Sequence, residues 1–197
     1  DNNVVIIIPV LQNVTVISGQ RAFLQCTFQG INAAHQLIWI RNNRGDIVAH
    51  NADLLSSDKR LSVYRSESEY QLYINNVNIN DEGYYTCETN TNPTKKANIH
   101  LQVQESPQIL SNFSTKSPVI VNEGTNVTLM CYAKGRPHPY VTWYRKGNKY
   151  VLSNGTQYLT LNNVSRVQSG HYECVAYNGV NGHSVSKDFE LRIICKY

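Results

Sequence analysis

One pattern is written twice along this chain: Cys26, Trp39, Tyr85 and Cys87, then Cys131, Trp143, Tyr172 and Cys174. In each copy a tryptophan follows the first cysteine by about a dozen residues, and a tyrosine stands two positions before the second cysteine. A disulfide that joins two packed sheets needs this spacing, with an indole against the sulfurs and a tyrosine hydroxyl closing the corner ahead of the second cysteine. Each half of the chain must then be a sandwich. The expected bridges, Cys26–Cys87 and Cys131–Cys174, close loops of 61 and 43 residues. In the chain-entropy account such loops are worth about 4 kcal/mol each.

The fold class that follows is all-β: two tandem immunoglobulin-like antiparallel β-sandwiches, the first of variable or intermediate type and the second of intermediate type. A length of 197 residues suits two cores, with residues 1–104 as the first domain and 105–197 as the second. Val14, Val16, Ala22, Leu24 and Cys26 alternate with polar neighbours, the period of half-buried strands. Pro9 interrupts an apolar run and predicts an edge strand that breaks and switches sheets. The stretch between Trp39 and Leu61 leaves room for extra strands, and the shorter second copy leaves little. Ser106-Pro107 is expected to stop the last strand of the first domain.

Paired cysteines at these separations predict an oxidising, extracellular setting. Five N-glycosylation sequons agree with it, at Asn13, Asn112, Asn126, Asn154 and Asn163. No run approaches the roughly 20 apolar residues that span a bilayer. The expectation is therefore a cell-surface ectodomain whose anchor lies outside this sequence. The net charge of +4 is scattered and forms no nucleic-acid stripe. Six dispersed histidines lack metal-ligand spacing, and there is no phosphate loop or nucleophile elbow. No enzyme activity, metal or cofactor is expected. Asp81, at the corner before Tyr85, is expected to form a structural ion pair with Arg60. Cys195 is left over, in phase with Leu191 and Ile193, which predicts either a buried inert thiol or a bond to another chain or domain.

Function is expected to lie in the outward positions of the first domain. With Leu37, Trp39 and Arg41 turned inward, Ile38 and Ile40 must turn out, on a face where alternation calls for polar residues. Val48 to His50 and Leu54-Leu55 lie in the extra strands beside them, and Thr86, Glu88 and Asn90 alternate outward on the Tyr85 strand. An apolar centre with a polar rim is the composition of an interface.

The sequence resembles the neuronal immunoglobulin-superfamily group of IgLON proteins and Dpr-interacting proteins, or wirins. The first domain carries the likeness in Leu37-Ile38-Trp39-Ile40-Arg41, in Asp81-Glu82-Gly83-Tyr84-Tyr85-Thr86-Cys87 and in Asn90-Thr91-Asn92-Pro93. In the second it lies in Val121-Asn122-Glu123-Gly124, in Gly135-Arg136-Pro137-His138-Pro139-Tyr140-Val141-Thr142-Trp143 and in Gln168-Ser169-Gly170-His171-Tyr172-Glu173-Cys174. The resemblance implies a GPI-linked or otherwise anchored adhesion protein of three such domains, of which these are the first two. It implies pairing with itself or with a related immunoglobulin protein, through the face of domain one that carries strands C, C′, C″, F and G. On this sequence that face maps to Ile38, Ile40, Ala49, His50, Leu54, Leu55, Glu88, Asn90, Pro93 and Lys95, with the second domain as spacer. His50 stands where insect relatives tend to carry isoleucine, and Asn92 where many carry Asp, so the resemblance does not carry partner choice over to this sequence. The alternative function is a receptor fragment that binds a soluble ligand or glycan through the loops at the sandwich tip, Asn32 to His35 and Thr91 to Lys95.

Overall fold

The computed structural model describes residues 4–148 and 150–195. It divides into two compact units, one ending at Gln104 and the other beginning at Glu105.

The first unit runs β1 (Ile6–Pro9), β2 (Asn13–Ile17), β3 (Ala22–Gln29), β4 (Leu37–Arg41), β5 (Asp46–His50), β6 (Asp53–Leu54), β7 (Leu61–Arg65), β8 (Glu69–Ile74), β9 (Gly83–Thr89) and the first part of β10 (Lys96–Ile109), whose residues from Glu105 on belong to the second unit. One sheet has the order β1-β3-β8-β7, and the other runs β10-β9-β4-β5-β6 with β2 along the free side of β10. The first strand switches sheets at Pro9: β1 pairs antiparallel with β3, whereas β2 pairs parallel with β10. Between the sheets lie Leu24, Leu37, Trp39, Tyr70, Leu72, Ile74, Ile99 and Leu101, all fully buried. The Trp39 and Tyr70 rings meet at 5.6 Å beside the Cys26–Cys87 disulfide.

The second unit runs β11 (Val119–Asn122), β12 (Val127–Met130), β13 (Ala133–Arg136), β14 (Tyr140–Arg145), β15 (Val151–Asn154), β16 (Tyr158–Leu161), β17 (Gly170–Tyr177) and β18 (Ser184–Ile194). Its larger sheet has the order β11-β18-β17-β14-β15, and β12 pairs with β16 on the other side of the core. One strand, β15, separates β14 from β16, in keeping with the short cysteine spacing. Trp143 packs on Phe189 at 5.1 Å, and Cys131–Cys174 bridges the sheets.

Both tyrosine corners close, with Tyr85 donating to the Asp81 carbonyl at 2.8 Å and Tyr172 to the Gln168 carbonyl at 2.6 Å. Arg60 grips Asp81 through both terminal nitrogens, at 2.7 and 2.9 Å. The second unit has no carboxylate at the same corner. Arg145 donates to the Val167 and Ser169 carbonyls, and Gln168 accepts from the Ser165 amide.

Two expectations are corrected. Ser106-Pro107 does not stop β10, which continues to Ile109. Beyond Glu105 it pairs with β13 instead of β9, and Pro107 falls in the register shift between Glu105 and Gln108, where its missing amide hydrogen interrupts no ladder bond. Cys195 is exposed and free rather than buried, because β18 ends at Ile194 and the chain has left the sheet.

Candidate functional site

The outer face of the β10-β9-β4-β5-β6 sheet is built by strict alternation. In β4 the side chains of Leu37, Trp39 and Arg41 are buried, so Ile38 and Ile40 turn the other way and stand half-buried. The register sets Ile38 between Glu88 and His50, and Ile40 between Thr86 and Ile47. On the next strand outward, Glu88 faces Lys96 and Thr86 faces Asn98. Beyond them the Tyr84 and His100 rings meet at a tilt, 4.8 Å between centroids.

The centre of this face is rigidly bonded. The Thr86 hydroxyl donates to Asn98 Oδ1 at 2.7 Å and accepts from Asn42 Nδ2 at 2.9 Å. Thr86 is only 4% exposed, so a satisfied polar cluster abuts the isoleucines instead of a flexible charge. Below β4, buried Arg41 holds Asp46 in a two-pronged pair at 3.1 and 2.6 Å. Its guanidinium keeps the Asp46 carboxyl below the usual carboxylate range, so the turn into β5 is pinned.

The ten residues expected on the face do not all lie there. Ile38, Ile40, His50 and Glu88 share it. Ala49 does not: it is fully buried, together with Val48. The cause is a β-bulge, because the β4–β5 register jumps from Trp39↔Ala49 to Ile40↔Ile47 and leaves Val48 as an extra residue. Two successive side chains therefore point inward, and Ile47, 49% exposed, takes the outward position that simple alternation gives to Val48. Leu54 pairs opposite Ala49 at the sheet edge, and Leu55, 58% exposed, follows it.

Asn90, Pro93 and Lys95 belong to the sandwich tip. Asn90 ties two loops together, accepting the Gln36 amide on its side chain at 2.9 Å while its own amide donates to the Gln36 carbonyl. With Asn32, His35 and Pro93 it lines an open concavity of about 610 Å³. Among the described residues no group of three or more His, Cys, Asp or Glu side chains could hold a metal ion, and no helix is long and apolar enough to cross a membrane.

All five sequon asparagines are exposed. Asn13 opens β2, at the far side of β10 from β4 and β5, so the apolar part of the face carries no sequon.

Residues 5–104 match the family model described as the immunoglobulin I-set domain, and residues 106–178 match an immunoglobulin domain model. The two units align with the crystal structure of DIP-gamma IG1+IG2 at a TM-score of 0.80 and 30% identity, over 96% of this chain and 97% of that one. In the complex of Dpr11 IG1 bound to DIP-gamma IG+IG2, the match has a TM-score of 0.82 and 29% identity, over 95% and 98% of the two chains. Limbic system-associated membrane protein of Rattus norvegicus is 38% identical over 180 residues, and neuronal growth regulator 1 of Gallus gallus is 36% identical over 177.

This chain belongs to the IgLON and Dpr-interacting-protein group of the immunoglobulin superfamily.

Each of these two curated relatives is matched across 89% of this wirin-group chain, which spans about half of their own length, 51% and 48%.

Proposed function

We propose that this protein is an extracellular recognition protein of the cell surface, in neuronal contacts. It pairs with a second immunoglobulin domain, its own copy or a related chain, through the outer face of β9, β4, β5 and β6. The second unit acts as spacer. The single observation that carries this reading is the row of Ile38, Ile40 and Ile47 on a sheet face where polar residues are the rule. Glu88, Lys96, Asn98 and His50 ring it, giving an apolar centre with a polar rim. The reading is supported by the group to which the chain belongs and by the DIP-gamma complex, in which an immunoglobulin domain is the bound partner.

Partner choice rests on His50. It lies beside Ile38, so any partner covering that isoleucine must accommodate an imidazole, and specificity is a difference of affinities.

A second reading has one observation in its favour, the concavity at the tip. There a soluble ligand or glycan would sit between the loop of Asn32 to His35 and the loop of Thr91 to Lys95. Sedimentation of the purified chain over a wide concentration range, alone and mixed with related immunoglobulin ectodomains, tests the first reading. Alanine substitutions then separate the two. Ile38→Ala and Ile47→Ala are expected to weaken association by at least about tenfold each, the scale of a truncated interface anchor. Asn32→Ala and Lys95→Ala are expected to leave it within about twofold, as rim or non-contact positions do. The reverse ranking would establish the tip as the site.

A further inference from the structure

The second unit has an outer sheet face of its own, richer in aromatic surface than that of the first. Buried Val141 and Trp143 turn Tyr140, Thr142 and Tyr144 outward on β14, and buried Cys174 and Ala176 turn Glu173, Val175 and Tyr177 outward on β17. The register sets Tyr140 beside Tyr177 and Thr142 beside Val175. Tyr140 and Tyr177 are about half exposed, at 53% and 46%. A patch of this kind on a free monomer calls for an occupant.

The occupant is on the same face. Asn154, the last residue of β15, pairs with Thr142, and it is the only one of the five sequon asparagines on this sheet. The Thr142 hydroxyl donates to Asn154 Oδ1 at 3.1 Å, which orients the carboxamide on this face. The sequon's middle residue, Gly155, has φ +78 and lies against the Tyr140 ring so closely that a Cβ there would come within 2.9 Å of ring atom Cε2. The acceptor asparagine is therefore seated beside an aromatic ring, at the end of a strand, on an exposed turn.

We propose that Asn154 carries an N-glycan whose first N-acetylglucosamine packs on the Tyr140 ring and, with the sugars that follow, covers the outer face of β14 and β17. In the attachment step Asn154 Nδ2 bonds to the anomeric carbon of a lipid-diphosphate-linked oligosaccharide. The bond from that carbon to the diphosphate oxygen breaks, the lipid diphosphate leaves with the electron pair, and the amide proton passes to solvent. The C–H face of a pyranose is apolar and flat, so it covers a tyrosine ring as another ring would, while its hydroxyls restore a wet surface. The two units then differ by design: the sheet face of the first is left bare, and that of the second is closed by sugar.

The test uses the whole chain secreted from eukaryotic cells. Glycopeptide mass spectrometry is expected to find Asn154 occupied. Thr156→Ala removes the sequon while keeping Asn154 and its bond to Thr142, and Tyr140→Ser keeps the sequon but removes the ring. With Tyr140 present, loss of the sugar is expected to speed hydrogen exchange of the β14 and β17 amides about fivefold. In the Tyr140→Ser background the same loss is expected to change exchange by less than about 1.5-fold, and the double-mutant comparison cancels any effect of the Thr156 hydroxyl itself. A nuclear Overhauser contact between the first sugar and the Tyr140 ring is expected in the glycosylated chain. A bare Asn154, or equal acceleration in both backgrounds, overturns the proposal.

Discussion

Replacing Ile40 by Asp is expected to weaken association by at least about a hundredfold while the protein stays folded, since an interface anchor replaced by a carboxylate loses its buried area and must desolvate a charge on binding. The choice of position follows from geometry. Ile40 lies at the middle of the face, between Thr86 and Ile47, with its side chain directed away from the core that Trp39 and Arg41 enter. In the unbound chain position 40 is only half-buried, so the new carboxylate reaches water and its cost falls on the complex. Tyr140→Ala, on the outer face of the second unit, is expected to leave association within about twofold, as a position outside the interface should. Sedimentation or surface-based binding against the same partner measures both, with circular dichroism as the check on folding. An Ile40→Asp chain that still associates with unchanged affinity would remove the face from consideration.

Asp81→Ala is expected to cost the first unit about 3 kcal/mol, at the lower end of what losing one member of a buried ion pair costs. Asp81 is 1% exposed, and its carboxylate takes both terminal nitrogens of Arg60 and the Asn78 amide, at 2.9 Å. The figure stays at the low end because Arg60 is partly solvated and keeps Asp58, which it bonds at 2.8 Å.

The same contacts set an acid dependence. Burial by itself would raise the Asp81 pKa, but the Arg60 bonds and the Asn78 amide outweigh it and hold the carboxyl below its ordinary value. The Asp58 carboxyl is likewise lowered, chiefly by its bond to Arg60. A carboxyl depressed in the folded state stabilises fully above its unfolded value, near 3.9, and that contribution disappears as pH falls through the folded value. The first unit is therefore expected to lose stability steeply below about pH 4. Asp81→Ala should flatten that slope. The second unit has Gln168 at the same corner and gains no such dependence there. Amide exchange in β8 and β9 against that in β17, measured from pH 7 to pH 3, separates the two. Parallel acid responses, or a cost below about 1 kcal/mol for Asp81→Ala, would show that the pair is incidental; exposed pairs typically have effects that small.

The sandwich frame was legible because its determinants are local. A cysteine, a tryptophan and a tyrosine two residues before the second cysteine can satisfy their packing in one arrangement only, and the structure places Cys26–Cys87, Cys131–Cys174 and both tyrosine corners accordingly. Proline at position 9 likewise reported a sheet switch, because a residue without an amide hydrogen cannot continue a ladder. The outward turn of Ile38 and Ile40 needed nothing more than the period of a strand whose neighbours are an indole and a buried arginine.

What alternation could not reach was any feature that depends on how one strand meets another. The bulge at Val48 belongs to the pairing of β4 with β5, and it moved Ala49 into the core and Ile47 onto the face. Pro107 continues its strand because a new partner, β13, takes over just where the proline has no bond to give. Asn154 is one sequon among five in the sequence, and its place beside Tyr140 exists only once β15 folds back on β14. Residue type and spacing thus decided the two cores and their bridges by themselves, since buried side chains answer to a repeating period. The composition of each exposed face was decided by strand register, which is a property of pairs and is written in neither strand alone.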